Sequence, residues 1–328
     1  MDSKILITGT HGFIGSHFAK YFNQLGFTVY GLDRNPPLPE VTPYLYRNCE
    51  ADLADTGCVS AFVRKHELRY VLHCAALCLV GESVQKPDLY FDNNVRRSEI
   101  FLQDALLANG VKGIVFSSTA ATFGEPSTPT IDETHPQRPI NPYGESKLAY
   151  ERTLLRAESE KKILVGILRY FNAAGADPDG EMGENHDPET HLIPNACNAA
   201  LGHRGALEIF GDDYPTRDGT CERDYVHVFD LADAHARLLR KIQTEGTGGA
   251  YNLGLGRGYT IREVLQTVER VTGLPVPHRT SARRPGDPAI LVANPKKAMR
   301  ELGWAPRHSD LENLVRTAFS WQRKRRSR

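Results

Sequence analysis

The stretch Ile5-Leu-Ile-Thr-Gly-Thr-His-Gly-Phe-Ile-Gly15 constrains this chain more than any other, because an apolar strand runs straight into three glycines spaced three residues apart. A side chain at Gly9 would obstruct the tight turn, one at Gly12 would block close approach to the backbone, and one at Gly15 would push the following helix off the strand. An amphipathic helix follows the glycines, and a second strand, Thr28-Val-Tyr-Gly-Leu-Asp33, ends in an acid. Strand, glycine turn, helix and acid together form the context in which a dinucleotide's pyrophosphate meets a helix N-terminus. A carboxylate at Asp33 can accept hydrogen bonds from both ribose hydroxyls and repels a 2′-phosphate, so NAD is expected rather than NADP. Arg34 beside it is the one opposing feature.

Apolar, β-rich runs alternate with helical patterns through the first half: Lys4 to Thr8, Thr28 to Leu32, Tyr70 to Cys74, Gly113 to Ser117 and Lys162 to Arg169. Such alternation predicts an α/β fold with a doubly wound parallel sheet. The segments Asn94 to Asn109 and Tyr143 to Glu160 are the best helices between. After Arg169 the chain turns to loops rich in Gly, Pro, Asp and His, with shorter elements around Leu207 to Phe210, Asp224 to Lys241 and Thr260 to Thr272. We therefore expect a dinucleotide-binding domain over 1–170, with about 225–255 returning to it, and a smaller α/β substrate lobe over 171–322. A basic tail, 323–328, follows.

At 328 residues, with 40 basic and 40 acidic side chains, the chain is long enough to bury a core and carries no net charge that would point to nucleic acid or a membrane surface. Its six cysteines form no CxxC pair, which fits a reducing compartment. His186-Asp-Pro-Glu-Thr-His191 reads as a polar loop whose spacing matches no standard metal site, so no metal is expected. The first strand begins within a few residues of the start and no apolar run approaches a membrane span, so a cytoplasmic protein is expected.

Tyr143-Gly-Glu-Ser-Lys147 places a phenol and an ammonium one helical turn apart on one face. A tyrosine alone is a poor base at neutral pH. A neighbouring ammonium, joined by the positive charge of an oxidised nicotinamide, would stabilise the phenolate and fit Tyr143 to exchange a proton with a substrate hydroxyl. The strand end Phe116-Ser-Ser-Thr-Ala120 supplies hydroxyls that could orient the reacting oxygen.

At this point the chain resembles the extended short-chain dehydrogenase/reductase family and, within it, the UDP-galactose 4-epimerases. The resemblance runs through Thr8-Gly-x-x-Gly-x-Ile-Gly-Ser-His17, Asp52-Leu53, His73-Cys-Ala-Ala76, Val80-Gly-Glu-Ser83, Asp92-Asn-Asn-Val95, Tyr143-x-x-x-Lys147 and Arg169-Tyr-Phe-Asn-Ala-Ala-Gly175. It continues through Thr190-His-Leu-Ile-Pro194, Ile209-Phe-Gly211, Asp218-Gly-Thr-x-x-Arg-Asp-Tyr-Val-His-Val228, Tyr251-Asn-Leu-Gly254 and Arg283-Arg-Pro-Gly-Asp287. It implies a Rossmann sheet and a tightly held NAD that takes hydride from sugar C4 and returns it to the other face of a rotated 4-keto sugar. It makes Tyr143 the acid/base, Lys147 its partner and a ribose ligand, and Thr119 the catalytic hydroxyl, where relatives usually carry serine. Around the cofactor it implies Gly9, Gly12, Phe13, Ile14, Gly15, Asp33, Asp52, Leu53, Ala75, Asn93, Ser117, Tyr143, Lys147 and Tyr170. Around a UDP-sugar it implies Thr119, Tyr143, Asn172, His191, Leu192, Phe210, Arg223, Tyr225, Arg284 and Asp287. Two arginines suit a diphosphate, Phe210 a uracil, and Asp287 ribose hydroxyls.

The chain departs from the family at Cys78, where galactose epimerases commonly carry lysine, and at Ala121, which replaces a threonine. Similar sequences at Cys78 occur in epimerases of UDP-xylose and UDP-arabinose, so a pentose substrate is the alternative. Leu291 stands where relatives vary in size, and small residues there accompany N-acetyl sugars. A 4,6-dehydratase would need an acidic pair after the catalytic hydroxyl, where Ala120 and Ala121 stand. A non-catalytic NAD sensor would typically lose the tyrosine or the lysine. The two middle helices resemble those that pair in homodimers of the family, so a homodimer is expected.

Overall fold

The computed structural model describes residues 2–284 and 287–325. Five apolar strands, Lys4–Thr8 (β1), Thr28–Asp33 (β2), Tyr70–His73 (β4), Gly113–Thr119 (β5) and Leu164–Tyr170 (β6), are joined by Arg47–Glu50 (β3) and Gly249–Leu253 (β11). They form one seven-stranded sheet in the order β11-β6-β5-β4-β1-β2-β3, parallel throughout. This is the doubly wound parallel sheet expected from the alternation. β3 was not expected, because Arg47-Asn-Cys-Glu50 is a short polar run whose strand character comes only from pairing at the sheet edge.

Side chains alternate across each strand, and the two faces collect different helices. Ile5, Ile7, Val29, Leu72, Val115 and Leu168 pack on one face with Phe13–Gln24 (α1) and Val228–Glu245 (α8). Leu6, Tyr30, Leu32, Val71, Ile114 and Ile167 pack on the other with Thr56–His66 (α2), the helical segment 87–109 and Pro142–Ser159 (α6). The segment 87–109 contains Pro87–Phe91 (α4) and Arg97–Ile100 (α5) and widens into π turns at Asp92–Arg96 and Phe101–Leu106. Its 94–109 portion was expected as one regular helix. A shorter helix, Val80–Gln85 (α3), precedes it.

The second lobe is a helical layer of Leu192–Ala200 (α7), Ile261–Thr272 (α9) and Leu311–Arg325 (α11) over Leu207–Phe210 (β8), which pairs with His278–Ser281 (β13). Between the lobes run short pairings. Asn172–Ala174 (β7) lies beside Tyr225–His227 (β10), and Glu222–Arg223 (β9) lies between Tyr259–Thr260 (β12) and Ile290–Leu291 (β14). Lys296–Leu302 (α10) packs near α8 and β11. Arg323, Lys324 and Arg325 of the expected basic tail belong to α11, and 326–328 lie outside the described residues.

Strand order reverses beside β1, between β2 and β4, and opens a crevice beyond the carboxyl ends of these strands where ligands of such sheets bind. Buried histidines brace the layers around it. His73 Nδ1 faces Thr8 Oγ1 at 2.9 Å and its ring stacks on Phe116. His235 Nδ1 faces the Leu231 carbonyl at 2.8 Å and must donate to it, which leaves Nε2 to accept from Tyr170 at 3.1 Å, with the Ser117 hydroxyl, which donates to Cys74 Sγ, 3.3 Å away.

Burial pushes His17 down to about 4, and His73, His227 and His235 down to about 3, from an ordinary 6.5. The unfolded chain takes up these protons below its ordinary value while the fold resists them, so the stabilisation is whole above that value and lost as pH falls through it. Each histidine costs up to ~1.4 kcal/mol per pH unit until it protonates in the folded state. The melting temperature should therefore drop from about pH 7 to about pH 5, and drop less in His235→Gln, which cannot charge. Equal drops in both proteins would contradict this account.

Candidate active site

The glycine turn fits backbone against backbone. Gly9 holds φ +77°, and a Cβ there would lie 2.8 Å from the Ala75 nitrogen. A Cβ on Gly15 would lie 2.1 Å from the Gly9 carbonyl. At Gly12 the nearest protein atom would be 3.4 Å away, so that position faces the crevice instead. Gly12 caps α1 with extended backbone and no side-chain cap, leaving the first-turn amides, those of Phe13, Ile14 and Gly15, without intrahelical acceptors. Such amides, at the positive end of a helix, suit a pyrophosphate.

A cavity of about 210 Å³ extends from this turn, lined by Gly9, Gly12, Asp33, Asp52, Leu53, Ala75 and Asn93 among the expected residues, and also by His11, Arg34 and Arg97. Asp33 is fixed by the amides of His11 at 3.0 Å and Asn35 at 2.9 Å, one on each oxygen. Each oxygen keeps capacity for a ribose hydroxyl. Asp52 accepts one 2.7 Å hydrogen bond from Arg97, whose Nε donates to Asp92 at the same distance. Arg97 was not anticipated: nothing local distinguishes it from any basic residue on a helix.

The placement of Tyr143 and Lys147 depends on how α6 begins. Asn141 accepts from the Gly144 amide at 2.9 Å and Pro142 takes the first turn, so the helix starts just ahead of Tyr143. A Cβ on Gly144 would lie 2.3 Å from the Ala121 carbonyl, so only glycine lets α6 close onto the end of β5. That approach brings the Thr119 hydroxyl to the Tyr143 phenol, where it favours the phenolate. Gly144 is a positioning residue that sequence reasoning passed over.

Lys147 is buried, with its ammonium 4.3 Å from the centre of the Phe116 ring and no ion pair among the described residues. Burial brings it down to about 8. Tyr143 is half-exposed at the cleft, yet burial of its phenol pushes it above the ordinary value, with Cys78 adding to the rise. The expected lowering of Tyr143 is therefore not produced by the protein's own groups. The positive charge of an oxidised nicotinamide held nearby would act in that direction. Ser117 and Tyr170, expected near the cofactor, are tied to His235, a buried link that only the tertiary fold reveals.

Three of the residues expected around a nucleotide-sugar, Asn172, Arg223 and Tyr225, lie on the short strands between the lobes. Asn172 and Tyr225 are register partners, and the Asn172 amide donates to the Asp224 carbonyl at 3.0 Å. Arg223 forms an ion pair with Asp287, and Arg284 stacks 3.7 Å from the centre of the Phe210 ring. Leu192 opens α7, and His191 meets Glu184 and Glu189. Leu291 pairs with Arg223 and packs on the cluster of Ala120, Phe123 and Phe171, of which Ala120 follows Thr119 in the chain. Pro285 and Gly286 of the arginine motif lie outside the described residues. Beneath these groups Asp224 accepts from the amides of Leu255, Gly256 and Ala293 at 2.7 to 3.2 Å, tying three loops together, and burial pushes it up to about 7.

The sequence matches the NAD dependent epimerase/dehydratase family over residues 5–254. It is 44% identical to a UDP-glucose 4-epimerase of Halalkalibacterium halodurans, over 97% of this chain and 95% of that one. A UDP-glucose 4-epimerase from Brucella ovis in complex with NAD superposes with a TM-score of 0.93 at 43% identity, covering 96% of this chain and 97% of that one. One from Stenotrophomonas maltophila, with bound NAD and formylated UDP-arabinopyranose, superposes with a TM-score of 0.94 at 36% identity over 99% of each chain. With its glycine cradle, its acid at Asp33 and its Thr119-Tyr143-Lys147 cluster, the chain belongs to the NAD dependent epimerase/dehydratase family.

Proposed function

We propose that this chain interconverts UDP-glucose and UDP-galactose by NAD-dependent epimerisation at C4. The observation that carries the reading is the meeting of Thr119, Tyr143 and a buried Lys147, which has no ion pair among the described residues, beside the dinucleotide cradle. NAD, when bound, accepts hydride from C4 and gives it back. Tyr143 removes the proton of the C4 hydroxyl at Oη, and Thr119 orients that hydroxyl through its Oγ1. Lys147 supplies fixed positive charge that favours the phenolate form of Tyr143 before it takes that proton, in a setting with little water to screen it. The arginines Arg223 and Arg284 hold the diphosphate by charge-assisted hydrogen bonds, which exchanges their contacts with Asp287 and Phe210 for contacts to ligand. Anchored at its UDP end, the oxidised sugar can turn its other face toward the same cofactor, after which Tyr143 returns the proton.

Two further readings rest on less. Leu89 and Phe91 on the 87–109 segment and Leu155 on α6 are exposed apolar residues, and they support a homodimer built on these helices. All six cysteines are free thiols, and no helix among the described residues is long and apolar enough to cross a membrane, which supports a cytoplasmic setting. Light scattering on the purified protein should give twice the chain mass, and Leu155→Glu should shift it toward the monomer. A monomeric wild type would end the dimer reading.

Tyr143→Phe should keep its fold and UDP affinity while losing at least the ~10²-fold in turnover that an acid/base contributes. Thr119→Ala should lose less, because the phenol remains. Wild-type turnover in Tyr143→Phe would refute the mechanism.

Cys78 adds its influence at Tyr143 without the charge of a lysine, and Leu291 walls the pocket with an intermediate apolar side chain. Incubated with a panel of UDP-sugars and no added cofactor, the protein should turn over UDP-glucose and UDP-galactose on its own retained NAD. UDP-xylose, lacking C6, should lose no more than the ~1–3 kcal/mol typical of a small group in kcat/KM, and N-acetylhexosamines should react poorly. Strict dependence on added NADP would overturn the role of Asp33, and equal turnover of N-acetylglucosamine and glucose derivatives would overturn that of Leu291.

A further inference from the structure

The loop ahead of α7 gathers four metal-ligating side chains that the epimerisation does not use together: Glu184, His186, Glu189 and His191, whose donor atoms all lie within 4.8 Å of one another. Glu184 Oε1 approaches His191 Nδ1 at 2.5 Å and His186 Nδ1 at 3.1 Å. Glu189 approaches His191 Nδ1 at 3.2 Å through Oε1 and His186 Nδ1 at 3.9 Å through Oε2. The cluster is built rather than loose. Glu184 is only 3% exposed, and its carbonyl accepts from Trp321 at 3.1 Å and Gln322 at 3.0 Å, which pins the loop to α11.

Without a metal, protons on the two imidazoles can bridge to the carboxylates, and His186 Nδ1, shut off from solvent, has Glu184 Oε1 at 3.1 Å. With those protons released, two carboxylates and two imidazoles converge as four lone-pair donors on one point. Four bonds of ~2.0–2.2 Å to a tetrahedral ion place donors ~3.3–3.6 Å apart, so these side chains need shift only by about an ångström or less. Two nitrogens with two carboxylate oxygens suit a borderline divalent ion rather than calcium or magnesium, which take oxygen alone.

We propose that Glu184, His186, Glu189 and His191 form a binding site for a divalent transition-series cation, with zinc as the best fit. Its role is structural. The ion would close the 184–191 loop on itself and, through Glu184, hold it against the α11 residues Trp321 and Gln322, fixing the direction of His191 and Leu192 at the start of α7. His191 is 44% exposed on its side chain, which leaves an entry path.

The test uses untagged holoprotein, treated with chelator and desalted, then titrated with zinc by calorimetry and with cobalt by visible absorption. One equivalent per chain, the intense bands of four-coordinate cobalt, and a zinc-dependent rise in melting temperature are expected. His186→Ala and Glu189→Gln, both outside the catalytic and nucleotide-sugar residues, should each bind at least ~10-fold more weakly, the range seen when support for a metal ligand is lost, and should lose the thermal shift. No binding at excess zinc, a six-coordinate cobalt spectrum, or variants that bind like the wild type would each overturn the site. None of these readouts involves sugar turnover, so the result stands apart from the substrate reading.

Discussion

Everything at this site depends on one close approach, where the backbones of Gly9, Gly15 and Ala75 touch. Contact distances of 2.1 and 2.8 Å to the position of a missing Cβ leave no room for any side chain at the two glycines. The first turn of α1 is thereby pressed onto β1 at the crevice where strand order reverses, and its unpaired amides face outward. Asp33, Asp52 and Asn93 reach the same crevice from neighbouring elements because a parallel sheet brings the ends of its strands to one edge. Losing that contact would displace a whole layer, whereas losing Asp52 would remove one wall.

The chemistry depends on a second approach, of α6 to the end of β5, and on electrostatics that the protein leaves incomplete. Lys147 is buried against an aromatic face with no ion pair among the described residues, and burial disfavours the charged form of both groups, bringing the lysine down and the phenol of Tyr143 up. Histidines around the sheet, kept neutral by burial, avoid adding charge that would compete. Arg223 and Arg284 are engaged with Asp287 and Phe210, so under the proposed function a diphosphate would displace existing contacts instead of meeting bare cations.

The parallel sheet, the glycine cradle, Asp33 and the Tyr143/Lys147 pair were legible in the sequence because each is a short-range pattern. Strand-turn-helix spacing and an i, i+4 face are set by local backbone geometry alone. The polar β3 escaped because edge pairing overrides propensity, and the 87–109 segment proved irregular because its π turns leave no trace in apolar periodicity. The family resemblance named most residues of the pocket. It did not tell that Arg223 and Asp287 hold each other.

What only the tertiary structure decided are the meetings between distant segments: Gly144 against Ala121, Arg97 on Asp52, His235 under Tyr170, and Asp224 joining three loops. Glu184 to His191 is local in sequence yet belongs with them, since that loop has no period to orient its side chains and is aimed by its anchorage on Trp321 and Gln322. The sequence by itself determined which elements form and what each can bind, because hydrophobic period, glycine geometry and side-chain chemistry are properties of neighbouring residues. Their convergence depends on how layers pack, and packing is settled only when the whole chain has chosen one arrangement.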